Sequence, residues 1–247
     1  LVGSEMCIRD RYYNSSIKED SMYKHLRQVK QDIDQSFEGL LPRETMSVHT
    51  IARKLAKRMG AKHGMRFVSV NEPIGKRHAD GELFCGGSFY PWYADENDWY
   101  DSEVCLNYKT KDINLGRWWV YKTFHQQMTA AILHELNHRQ QYLSRGKKER
   151  KNEIFKSSHR KKKVAIEENY YGSLDEIQSY AIDVALECHY NDVTPRQVWK
   201  HIDGRISRPK YTTLHIYKNM FKDKDHPVMK KLKYYSYMAY NQILKPC

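Results

Sequence analysis

The stretch between Gly116 and Gly146 contains neither glycine nor proline, and Phe124, Met128, Ala131, Ile132 and Leu133 give it a broad apolar face. One long helix from about Trp118 to Ser144 is expected. Within it lies His134-Glu135-Leu136-Asn137-His138. Residues four apart stack on one helical face, so both imidazoles can reach a single Zn²⁺ at about 2.0 to 2.1 Å. Glu135 is rotated by about 100° around the axis, beside the ion, where its carboxylate acts as a base and not as a ligand. Zinc with three protein ligands lowers its water's pKa to about 7. Glu135 would take that water's proton and hand it to a leaving amine. Zinc is therefore the expected cofactor, and a peptide or protein the expected substrate.

A third ligand must come from outside this helix. Leu174 to Tyr190 reads as an amphipathic helix on Ile177, Ala181, Val184, Ala185 and Cys188, and Asp175-Glu176 opens it. Glu176 is the chosen ligand, with Asp175 the close competitor. Glu167 and Glu168 precede the helix, and Glu187 and His189 lie about three turns along it. The plain alternative for Asp175 or Glu176 is complementing the helix dipole. Tyr170, Tyr171, Tyr180 and Tyr190 are nearby donors for an oxyanion, although packing is the commoner role of such rings. Trp118, Trp119, His125 and the tyrosines from Tyr234 to Tyr240 read as core or surface aromatics. His125 lies off the face of His134.

The His134-Glu135-x-x-His138 helix, followed by one opening on Asp175-Glu176-Ile177, resembles the zincin superfamily, and specifically phage-type metallopeptidases with this pair of elements. The resemblance covers about residues 45 to 190. It implies a gluzincin-like site with Glu176 as ligand. The fold it implies is α+β: a small mixed sheet with an edge strand at the cleft, backed by the active helix, with further helices C-terminal. Glu103 to Tyr108 fits the edge strand, which would take an extended substrate by strand addition. Arg139 to Ser144 supplies no glycine and third histidine, which excludes the metzincin pattern. Thermolysin-like enzymes carry Asp four residues after the glutamate ligand, where this chain has Tyr180. Asp183, seven residues after Glu176 and on nearly the same face, is the candidate to orient a ligand histidine instead.

Four parts are expected along the chain. Residues 1 to 11 resemble a translated sequencing adapter and are expected to be non-native. Residues 12 to 44 hold an N-terminal helix with a stripe of Met22, Leu26, Val29, Ile33 and Phe37. Residues 45 to 190 form the catalytic domain, and residues 191 to 247 a helical extension. Within the third part, a helix from Met46 to Met59 should stop at Gly60. Strands are expected at 66–70, 82–90 and 103–108, the second with a bulge at Gly86-Gly87. Thr194-Pro195 starts a helix, and the last runs from Pro227 to Asn241.

The formal charge is +12. Arg145 to Lys163 carries ten Lys or Arg against two Glu, so most of the excess sits there. Such a run suits an anionic partner, and a nucleic-acid-associated protein with a structural or lost metal site is the alternative function. The plainer reading is a solvated insertion. A ferritin-like di-iron site would need a second Glu-x-x-His motif, which the sequence lacks. Five scattered cysteines, with no Cys-x-x-Cys, point to free thiols. No run is apolar enough for a membrane span and no secretory signal is visible, so a cytoplasmic location, in a viral or phage setting, is expected.

Overall fold

The computed structural model describes residues 16–40, 44–71, 83–91, 101–108, 111–148, 157, 161–200 and 212–245. They form a mixed α+β fold of helices and two small sheets. Helix α1 (Ser16–Leu40) buries the expected stripe, with Leu26, Val29, Ile33 and Phe37 inside and Met22 packed at its margin. Strand β1 (Thr45–Ser47) pairs antiparallel with β5 (Asp112–Asn114), setting Met46 opposite Ile113. Met46 is thus in a strand, and helix α2 (Val48–Leu55) begins after it. Ser47 sets that start, because its backbone is extended and its Oγ accepts from the Thr50 N–H at 3.2 Å. Gly60 is not the stop. The chain widens into a π-helical turn (Ala56–Gly60), continues through Ala61–His63, and ends where Gly64 adopts φ +62°. Only the left-handed residue terminates the ladder, and Gly60 is still helical at φ −55°.

The main sheet is three-stranded and mixed. Strand β4 (Ser102–Tyr108) lies at its centre, parallel to β2 (Met65–Val70) and antiparallel to β3 (Leu83–Phe89). The expected edge strand at 103–108 is therefore the middle one. Alternation of Val104, Leu106 and Tyr108 marks a face turned to the core, but it carries no information on whether a neighbour pairs along each edge. The edge beside the cleft is β3. Its glycine pair makes no bulge either, since the register runs unbroken from Cys85 opposite Leu106 through Gly87 opposite Val104.

Helix α3 (Trp118–Ser144) carries the motif and has the expected bounds. It packs against β3 and β4 on one side and against α1 and α5 (Leu174–Tyr190) on another. Phe124, Met128, Ile132, Leu133 and Leu136 are its fully buried apolar residues. Truncating such a leucine to alanine costs about 2–5 kcal/mol. Between these helices in sequence comes α4 (Lys162–Tyr171), and after α5 come α6 (Pro195–Lys200), α7 (Thr212–Phe221) and α8 (Pro227–Ala239), the last running into a π-helical turn at Tyr240–Leu244. Helix α5 is apolar on two sides for this reason. Ile182, Ala185 and Leu186 join the core with α3, while Ile177, Ala181, Val184 and Cys188 pack on Tyr217, Leu232 and Tyr235 of α7 and α8. A helix gripped on both flanks holds its first turn, and Glu176 with it, against the motif helix.

Cys85, Cys105 and Cys188 are free thiols, and Cys7 and Cys247 lie outside the described residues. Most of the basic run, residues 149–156 and 158–160, lies outside them as well. No helix among the described residues is long and apolar enough to cross a membrane.

Candidate active site

His134, Glu135 and His138 come from the C-terminal half of α3, and Glu176 from the first turn of α5. Ser173 caps α5 by accepting from the Glu176 N–H at 3.4 Å. Glu176 occupies the position from which a capping-box glutamate would reach back to the cap. Its side chain turns instead to the histidines: Oε1 lies 3.4 Å from His138 Nε2 and Oε2 lies 3.7 Å from His134 Nε2. The donor atoms of all three residues lie within 4.8 Å of one another. Ligands at tetrahedral angles around zinc stand about 3.3 Å apart, close to the two Glu176–histidine separations of 3.4 and 3.7 Å.

The far nitrogens of both rings are engaged. His134 Nδ1 lies 3.2 Å from Asp183 Oδ2, and His138 Nδ1 lies 3.1 Å from Gln141 Oε1. A carboxylate and an amide oxygen only accept, which puts a proton on each Nδ1, so that in the neutral rings a metal requires each Nε2 is bare. Two bare nitrogens then face a carboxylate whose Oε2 is buried and has no hydrogen-bond donor among the described residues. Lone pairs set against lone pairs repel unless a positive charge lies between them. A proton on Nε2 would supply such a charge as a cation would, and the titration directions describe that protonated state. Burial opposes charging His134, but the Asp183 carboxylate outweighs it, helped by Glu176 and Glu135, and holds this imidazole well above its ordinary value. Burial likewise works against the Glu176 carboxylate, and the two histidines overcome it, lowering Glu176 to about 2. The donor set is one that could take a divalent cation, which His134, His138 and Glu176 would hold.

Glu135 is buried on the flank of this cluster. Burial pushes its carboxyl above the usual range, against the pull of His134 and His138, which suits a base that must accept a proton. Its side chain packs on the edge strand at Gly87, where an added Cβ would fall 2.5 Å from Glu135 Cγ. The glycine pair read as a bulge is in fact a close approach between strand and helix. Beside Glu135, His138 and Glu176 opens a cleft of about 720 Å³, with Phe89, Tyr90, Tyr142 and Tyr170 in its wall and the Arg145–Asp175 pair at its rim.

The remaining candidates separate cleanly. Asp175, the competitor for third ligand, pairs with Arg145 at 2.9 and 3.0 Å. Glu168 accepts from Ser157, and Glu187 accepts from the Thr213 N–H at 2.8 Å. Of the four tyrosines, Tyr170 lines the cleft and Tyr180 stands edge-on to the His134 ring at 4.6 Å. Tyr171 packs on Tyr217, and Tyr190 lies beside Thr129 and His125. His125 itself contacts Asp34 and Phe37, away from the site. Asp183 takes the orienting position considered for it. Gln141 was missed by sequence reasoning, although its place one turn after His138, on the same face, carried the signal. It donates to Gln178 Oε1 at 2.9 Å and to the Asp175 carbonyl at 3.2 Å, tying the second histidine to α5.

No protein-family model matches the chain, and no curated protein or solved structure does. The functional reading therefore rests on the chemistry of these side chains.

Proposed function

We propose that this chain is a zinc-dependent metallopeptidase with a gluzincin-like site, in which His134, His138 and Glu176 hold the ion and Glu135 is the general base. The carrying observation is the meeting of three ligand atoms from two helices while the outer nitrogen of each histidine faces an acceptor. Bound zinc supplies Lewis acidity to a substrate carbonyl and acidifies water. Glu135 takes the proton of the attacking water and delivers it to the leaving nitrogen. Tyr170, in the cleft wall beside Glu176, is the hydroxyl best situated to donate to the oxygen that gains charge.

A zincin-like fold is part of the same proposal, supported by the motif helix running beside an antiparallel edge strand. Strand β3 suits an extended substrate. The Tyr90 N–H bonds the Asp101 carbonyl at 2.8 Å, so by alternation the backbone groups of Cys85, Gly87 and Phe89 point along the free edge. The Cys85 N–H is met by Gln127 Oε1 at 3.3 Å and the Gly87 carbonyl by the Ser88 hydroxyl at 2.9 Å, which among the described residues leaves the Gly87 N–H and Phe89 to pair with a peptide by strand addition.

Hydrolysis of an internally quenched peptide tests the reading. A chelator should abolish it and zinc restore it, and Glu135→Gln should lower kcat by about 10²-fold or more while keeping the metal. Hydrolysis that ignores both treatments overturns the assignment.

A further inference from the structure

Immediately after the second histidine of the motif, Arg139 leaves the ligand face of α3 and reaches toward the sheet. Its Nε lies 2.8 Å from Asp101 Oδ2, and its Nη1 donates to the His63 carbonyl at 3.0 Å. The Nε contact is an ion pair whose N–H points off the line to the oxygen. Gly64, in the left-handed conformation at φ +62°, makes room for the guanidinium, since a Cβ there would stand 3.1 Å from Nη1.

Asp101 is a junction. Its carboxylate takes Arg139 and the Ser102 hydroxyl, its N–H donates to the Gly64 carbonyl at 3.1 Å, and its own carbonyl takes the Tyr90 N–H. That last bond closes the end of β3, where Phe89 and Tyr90 enter the cleft wall. One side chain therefore connects the motif helix to the strand across the cleft from it. Asp101 is 4% exposed, and a buried carboxylate deprived of its partner relaxes or takes up a proton. Burial already pushes its carboxyl above the usual range despite Arg139.

We infer that Arg139 is a positioning residue, which through Asp101 fixes the end of the edge strand relative to the catalytic helix and so aligns an extended peptide with Glu135. This rests on the peptidase reading for its substrate. A shift of 1 Å in such an alignment costs about 10²-fold in rate.

The test pairs two substrates with one measurement that needs none. Arg139→Gln and Asp101→Asn are compared with the natural chain on a quenched peptide long enough to lie along β3 and on a blocked dipeptide amide. The long peptide should lose about tenfold or more in kcat/KM, the dipeptide much less, with zinc content unchanged and Arg139→Lys recovering part of the loss. Equal losses on both substrates, or none, overturn the inference. Hydrogen exchange at the Tyr90 amide reads the clamp directly. Protection should fall by about tenfold in either variant, and unchanged protection overturns the inference whatever the peptides do. If the natural chain cleaves neither substrate, the peptidase reading fails, while the exchange result still decides the clamp.

Discussion

Gly87 and Glu135 meet beside the cleft so closely that a methyl group on the strand would overlap the glutamate, 2.5 Å from Cγ and 2.8 Å from Oε1. Helix and strand are each held by the core, so the carboxylate would have to give way. Gly87→Ala should therefore lower peptide hydrolysis by about 10²-fold, with zinc content and folding preserved. Steady-state kinetics beside metal analysis checks this. Full activity would mean that Glu135 works from a position other than the one packed on β3.

The two ligand histidines are oriented by unlike partners, a carboxylate at His134 and an amide at His138. Asp183→Ala should weaken zinc binding by about 10- to 100-fold, and Gln141→Leu should weaken it less, since only the former removes charge. Competition with a chelator of known affinity measures both. Unchanged affinity in Asp183→Ala would show that the outer contact does not tune the site.

Adjacent acidic residues on α5 should behave differently. Asp175→Asn breaks the pair with Arg145 at the rim and should leave zinc bound. Glu176→Gln removes a donor from the cluster and should lose it. Zinc analysis after dialysis separates them, and the reverse pattern would move the third ligand to Asp175.

Much of this architecture was legible because its determinants are local. The bounds of α3 follow from an uninterrupted apolar pattern between glycines, and those of α5 from the same periodicity behind Ser173. Histidines at helical spacing need no tertiary information to share a face. What was not legible depends on partners distant in sequence. Strand β4 reads as a strand from its alternation, but its central place is set by β2 and β3 pairing along both edges. Met46 joins β1 only because Ile113 lies opposite it. Gly87 owes its smallness to a helix residue 48 positions away, and a glycine pair alone suggests a bulge as readily as a close approach.

Glu187, on the same helix as Glu176, gives the fold a pH signature away from the cleft. It is 6% exposed, Oε1 accepts from the Thr213 N–H, and Oε2 has no hydrogen-bond partner among the described residues. Burial raises its carboxyl to about 7, from an ordinary 4.5. Between those values the folded chain keeps a proton that the unfolded chain has released. Stability from this group therefore falls as pH rises through that window and is level above it. The full effect is on the order of 3 kcal/mol. Urea unfolding at about pH 5 and pH 8 should show the natural chain losing roughly 2–3 kcal/mol more than Glu187→Gln. Superimposable pH profiles would contradict the assignment.

Zinc stoichiometry tests the central claim most directly, because every other step depends on a cation between His134, His138 and Glu176. After equilibrium dialysis against zinc and removal of loosely held metal, the natural chain and Glu135→Gln should each retain one zinc per chain, and His134→Ala should retain none. A natural chain that holds no zinc, or a His134→Ala variant that holds as much, would contradict the account.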